Sequence, residues 1–269
     1  MEPLDILLNA YEGATEGWLA DSLAAGQSLF RRLAALELVV FGFVVALKSR
    51  SVETVFPELA WKLFLIALFL TALLLYPLWV PTITPTFAAV AGDITGFTTL
   101  NPILVVKQGI ALALALLFAS ISSGLIFPDP FGATLGLFVA FGIVAAFIAI
   151  AAIITKTLIE SWIVVSAGPF FFGFAPFRLT APIADNFIVY AFQVGIKLFF
   201  LIVLLAAARG VVIEWVQLIF ISGVYNLQLI LELLAGAIIL AVALWAIPAK
   251  LADVLTRSWQ LGLRQALGE

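Results

Sequence analysis

Apolar runs too long for the interior of a soluble domain restrict this chain to one class of fold. Ile103 to Ile126, Phe131 to Thr155, Ala184 to Ala208 and Leu227 to Ile247 each supply the roughly 20 apolar residues a helix needs to cross a bilayer core. The runs are continuous and lack the alternation of a barrel strand, so helices are expected and lipid-facing strands are not. Charged residues form 11% of the chain, against roughly 25% in an ordinary globular domain, and most stand at the edges of the runs. The expectation is an all-α, polytopic transmembrane helical bundle of about six to seven spans, headed by an N-terminal interfacial helix.

Missing residue types remove several chemistries. The chain has no Cys and no His. Disulfides, thiolate nucleophiles, imidazole metal ligands and a Ser-His-Asp triad are therefore closed to it alone. It carries neither a GxxxxGK[ST] phosphate loop nor a GxGxxG turn after a strand, so any ATP-driven work must come from a partner. A membrane enzyme would have to work with carboxylates, Lys, Ser or Thr.

The chain divides by composition into residues 1–30, 31–250 and 251–269. In the first segment Trp18, Leu19, Leu23, Leu29 and Phe30 recur at helical spacing beside Glu2, Asp5, Glu12, Glu16 and Asp21. That pattern suits an amphipathic, external helix lying in the interface or docking on a partner. Leu33 to Leu47 reads as a short span, edged by Arg31, Arg32, Lys48 and Arg50 and interrupted by Glu37. A carboxylate costing about 3 kcal/mol nearly offsets its apolar residues, so this helix needs neighbours. Trp61 to Val80 follows, then an expected external loop from Pro81 to Pro102 without Lys or Arg.

Ile103 to Ile126 and Phe131 to Thr155 form an expected hairpin through Phe127 to Phe131. Small residues at helical spacing, Ala111, Ala115 and Ala119 on one side and Gly132, Gly136, Ala140, Gly142 and Ala146 on the other, let the backbones approach closely. Trp162 to Phe177 is apolar but broken by Gly168-Pro169, Gly173 and Pro176, which fits either a short span or a re-entrant loop. Val211 to Ser222 is too short to cross alone. Lys48, Arg50 and Lys62 place the first loop inside, and Lys250, Arg257 and Arg264 place the polar tail inside.

Ionisable residues within spans mark function or buried pairing. Lys107 and Lys156 lie near helix ends, where a Lys stem can run along lipid to the headgroups. Lys156 and Glu160 are four apart and can pair on one face. Glu37, Lys197 and Glu232 remain, and Lys197 is expected to pair with Glu37 or Glu232, or to face a water-filled passage.

The run from Leu158 through Trp162, Ser166, Gly168, Pro169, Gly173 and Phe174, then Arg178, Thr180, Tyr190 and Val194 to Phe199, resembles the core of the TrbL-type conjugal transfer proteins. Leu29 to Glu37 and the Ile247-Pro248-Ala249 exit add to the likeness, which covers most of residues 25 to 250. The family's Gly-Phe-Gly-Gly turn reads here as Gly173-Phe174-Ala175-Pro176 ahead of Thr180, and the long polar C-terminal extension of many relatives is absent from this sequence. The resemblance implies a homo-oligomeric inner-membrane component of a type IV secretion machine. Such a component helps assemble the channel and pilus beside pilin, other subunits and separate ATPases, and no enzyme activity, cofactor or metal is expected of it. On that reading Gly168, Gly173, Phe174 and Thr180, with Pro169 and Pro176, form a broken-helix element. With a net charge of −3 and no basic stripe, a sequence-specific grip on nucleic acid is not expected. The alternative is a secondary transporter or small-solute permease, which would show paired helix breaks and a midplane site.

Overall fold

The computed structural model describes residues 3–48, 52–97, 100–126, 130–222 and 227–267. Its regular elements are all helices: α1 Pro3–Lys48, α2 Val52–Leu74, α3 Tyr76–Thr95, α4 Pro102–Ile126, α5 Pro130–Phe172, α6 Ala181–Ser222 and α7 Leu227–Leu267. The all-α bundle expected from the apolar runs is what forms. By length and composition, four helices among the described residues can cross a membrane, over Val55–Leu74, Thr134–Phe172, Ala181–Ile219 and Gln228–Arg257. A shorter apolar stretch runs over Pro102–Phe118 of α4.

Continuity is where the fold departs from the sequence reading. The amphipathic N-terminus and the first apolar stretch are one 46-residue helix. The segment from Trp162 is the end of α5, and Val211 to Ser222 is the end of α6. These two helices have 43 and 42 residues, about twice the length a crossing needs. The loop expected over Pro81 to Pro102 is instead mostly α3. Pro77, Pro81 and Pro85 recur every four residues, so the N–H groups they lack lie along one side of the helix and the rest of its ladder survives. Thr82 and Thr86 bond back to the carbonyls of Trp79 and Thr82, both at 2.6 Å. Just past the end of α3, Gly96 adopts a left-handed φ of 67°. Asn101 Oδ1 caps α4 by accepting the N–H groups of Ile103 at 2.9 Å and Leu104 at 3.4 Å.

The helices build two compact units. One comprises Met1–Asp5, Phe87–Leu158 and Ile196–Leu255. Its core is Leu112 and Leu116 of α4, Ile143, Ile150 and Ile154 of α5, Leu201 and Ile219 of α6, and Leu244 of α7. Large side chains press onto glycines here: an added Cβ on Gly142 would stand 2.6 Å from Leu234 Cδ1, and one on Gly236 2.6 Å from the Trp215 ring. Ala115, Ala140 and Ala146 are buried in the same core, whereas Ala111 faces outward. The turn expected at Phe127 to Phe131 lies largely outside the described residues.

The other unit comprises Ile6–Thr86, Ile159–Gly195 and Thr256–Glu269. Phe30 of α1, Leu73 of α2, Tyr76 and Val80 of α3, Val164 and Phe172 of α5, and Ala184, Phe187 and Val194 of α6 make its core.

Candidate functional site

The helix break between α5 and α6 sits in this second unit. Pro169 has no N–H to offer the Val165 carbonyl, and α5 ends one turn later. The last turn tightens: the N–H groups of Gly173, Phe174 and Ala175 donate to the carbonyls of Phe170, Phe171 and Phe172 at 3.1 to 3.2 Å. The Thr180 hydroxyl then spans the turn, donating to the carbonyls of Phe174 at 2.9 Å and Phe177 at 3.2 Å. The Ala181 N–H donates to Phe177 at 2.8 Å, which starts α6. The irregular backbone thus satisfies much of its hydrogen bonding internally, the condition under which such a break is tolerated in an apolar setting.

Glycines let other helices touch this break. A Cβ on Gly26 of α1 would collide with the Pro169 carbonyl oxygen and lie 2.7 Å from its carbon. One on Gly173 would lie 2.8 Å from the Gly26 carbonyl oxygen, so α1 and the end of α5 meet backbone to backbone. Ser22 Oγ, one turn before Gly26, accepts the Phe170 N–H at 3.3 Å. Gly168 faces Tyr76, whose hydroxyl donates to the Val164 carbonyl at 3.2 Å.

Around the break lies an aromatic cluster. Tyr76, Trp79 and Phe172 meet edge to face with centroids 5.6 to 5.7 Å apart. Phe171 stacks on Phe187 at 5.1 Å, and Phe170 meets Phe174 edge to face at 5.4 Å. Such pairs add about 0.5–1.5 kcal/mol each beyond burial and resist sliding.

Glu37 closes the site. It is 6% exposed, and its two carboxylate oxygens serve two elements. Oε1 pairs with Lys62 Nζ of α2, and Oε2 accepts the Arg178 N–H of the turn at 3.3 Å. Lys62 Nζ also lies 4.8 Å from the ring centre of Phe41. One carboxylate on α1 thereby fixes both α2 and the α5–α6 turn.

Seven of the nine residues singled out from the sequence come together here: Glu37, Gly168, Pro169, Gly173, Phe174, buried Pro176 and Thr180. Lys197 and Glu232 belong to the other unit. Glu37 pairs with Lys62, in place of the expected Lys197, because α2 brings Lys62 beside α1. Glu232 stands on an exposed face of α7, where its Oε1 accepts from Gln228 at 2.7 Å. Lys197 lines a cavity of about 240 Å³ with Lys156, Thr157 and Trp245. Sequence patterning does not single out Gly26, Ser22 or Tyr76. Only Gly26 leaves a trace, a small residue amid the helical spacing of Leu23, Leu29 and Phe30.

The sequence profile of the TrbL/VirB6 plasmid conjugal transfer proteins matches residues 34–247. A protein of Sinorhizobium fredii (strain NBRC 101917 / NGR234) described as a probable conjugal transfer protein TrbL is 28% identical over 203 residues, 74% of this chain and 49% of that protein. A conjugal transfer protein TrbL of Rhizobium radiobacter is 26% identical over 201 residues, 75% of this chain and 50% of the relative. The chain thus spans about half the length of the curated relatives it matches. With the matched residues taking in the α5–α6 break, its Glu37 anchor and the helices that carry them, the chain belongs to the TrbL/VirB6 plasmid conjugal transfer family.

Proposed function

We propose that this protein is a non-catalytic, multi-pass component of a type IV secretion machine in the cytoplasmic membrane, where it helps build the conjugative channel and pilus. The observation that carries the reading is the position of the helix break. Ile159 to Thr180, within the run that carries the family resemblance, is packed in one unit against four further helices, α1, α2, α3 and α6. A rigid, polar-satisfied break suits a scaffold that presents one fixed surface to neighbouring subunits, including further copies of itself, pilin and separate ATPases. Glu37, held at both oxygens by Lys62 and by the Arg178 N–H, suits such a fixed structural role.

The test is plasmid transfer from donor cells with an in-frame deletion of the gene, with and without a second copy. Transfer should vanish and return with the wild-type copy. Unchanged transfer overturns the proposal and makes solute uptake, the permease reading, the next assay.

A further inference from the structure

A second built feature lies in the unit formed by α4, most of α5, the latter part of α6 and α7. A cavity of about 490 Å³ opens beside the start of α4. Its polar lining is Asn101, Lys107, Gln108 and Arg209, and no acidic side chain lines it among the described residues. The remainder is apolar, including Phe147 of α5 and Leu205 of α6. The Arg209 guanidinium lies 5.8 Å from the ring centre of Phe97, which steadies it over the opening. Lys107 and Arg209 are both exposed at the residue level, so the cavity is reachable from outside the unit.

These features are separated by chemistry. Two cations and two amides supply donors for an anionic oxygen group, and the apolar wall suits a hydrocarbon body. A volume of this size lies within the range of about 300–1,000 Å³ typical of ligand pockets. A free anion would use the polar edge and leave the apolar wall wet. A zwitterionic lipid would bring a second cation towards Lys107 and Arg209. From these complementarities we infer that the cavity between α4 and α6 binds an anionic phospholipid, its phosphate held by Lys107 and Arg209 and its acyl chain along Phe147 and Leu205.

The test uses the full chain in nanodiscs of mixed phosphatidylglycerol and phosphatidylethanolamine, with retained lipid read by native mass spectrometry after extraction. Two cations at the headgroup correspond to about a thirtyfold preference for the anionic lipid. Lys107→Gln or Arg209→Gln should each lower that preference about fivefold. The double variant should abolish it, while Lys250→Gln with Arg257→Gln, which lie outside the cavity, should keep it. Equal retention of both lipids by the wild type overturns the inference, as does a control pair that loses as much as the cavity pair. Excess inorganic phosphate that displaces the lipid from wild type would assign the site to a free anion instead. The wild-type lipid and phosphate arms decide the question even where a variant fails to fold.

Discussion

At the scale of single residues, the site depends on two kinds of crowding, one steric and one electrostatic. Gly168→Ala places its Cβ against the Tyr76 hydroxyl and 2.6 Å from Cζ, an overpacking expected to cost about 1–3 kcal/mol. Because the worst overlap is with the hydroxyl oxygen, adding Tyr76→Phe should recover part of the loss even though the Val164 bond goes with it. Thermal unfolding of both variants in detergent checks this, and a wild-type midpoint for Gly168→Ala would refute the close contact. Glu37 is crowded differently. Lys62→Met removes the cation beside its buried carboxylate while the Arg178 N–H bond stays, at a cost of about 1–3 kcal/mol, whereas Glu37→Leu with Lys62→Met should cost less than the two single losses summed, because the lost acceptor of the Arg178 N–H is then the main remaining penalty. A double-mutant cycle on unfolding free energies reads the coupling; additive losses would mean that the pair contributes nothing. Glu37 was legible as a buried charge, but its partner was not, because apolar periodicity does not say which helix lies beside which.

At the scale of elements, the α5–α6 break is a turn bridged by the Thr180 hydroxyl. Thr180→Val keeps the shape and removes both hydroxyl bonds, so the turn should lose about 1 kcal/mol and amide exchange over Gly173 to Thr180 should rise, while α7 stays protected. Exchange that rises equally throughout would point to global destabilisation and sink the local role. That the chain breaks here was readable from Gly168-Pro169, Gly173 and Pro176. The α3 helix was not readable, for the same residue type. Pro81 and Pro85 signal a loop when counted, yet with Pro77 their four-residue spacing leaves most of a helical ladder intact. Helix length was misread for a related reason. Polar residues such as Lys156 and Glu160 look like span ends when a span is taken as about 20 residues, but they interrupt neither hydrogen bonding nor helical φ/ψ, and α5 runs on to Phe172.

At the scale of the whole chain, sidedness follows from counting crossings. The helices α2, α5, α6 and α7 are long and apolar enough to span, and four crossings return the chain to the side from which α2 started. The short apolar part of α4 does not change that count if α3 and α4 cross together or not at all. The residues before α2 and those from Arg257 on should therefore share a side, and both carry basic residues that mark the cytoplasm: Lys48 and Arg50 in one place, Arg257 and Arg264 in the other. Because the chain has no Cys, one introduced thiol reports one position. Ser51→Cys and Ser258→Cys should both resist a membrane-impermeant maleimide in intact cells and react once the membrane is opened. Gly13→Cys lies at a position with open space around it, and it should react in intact cells if the Leu33 to Leu47 part of α1 crosses. Opposite labelling of Ser51→Cys and Ser258→Cys would require an odd number of crossings, so that one of the four long helices, or one of α3 and α4 alone, behaves otherwise than its length predicts.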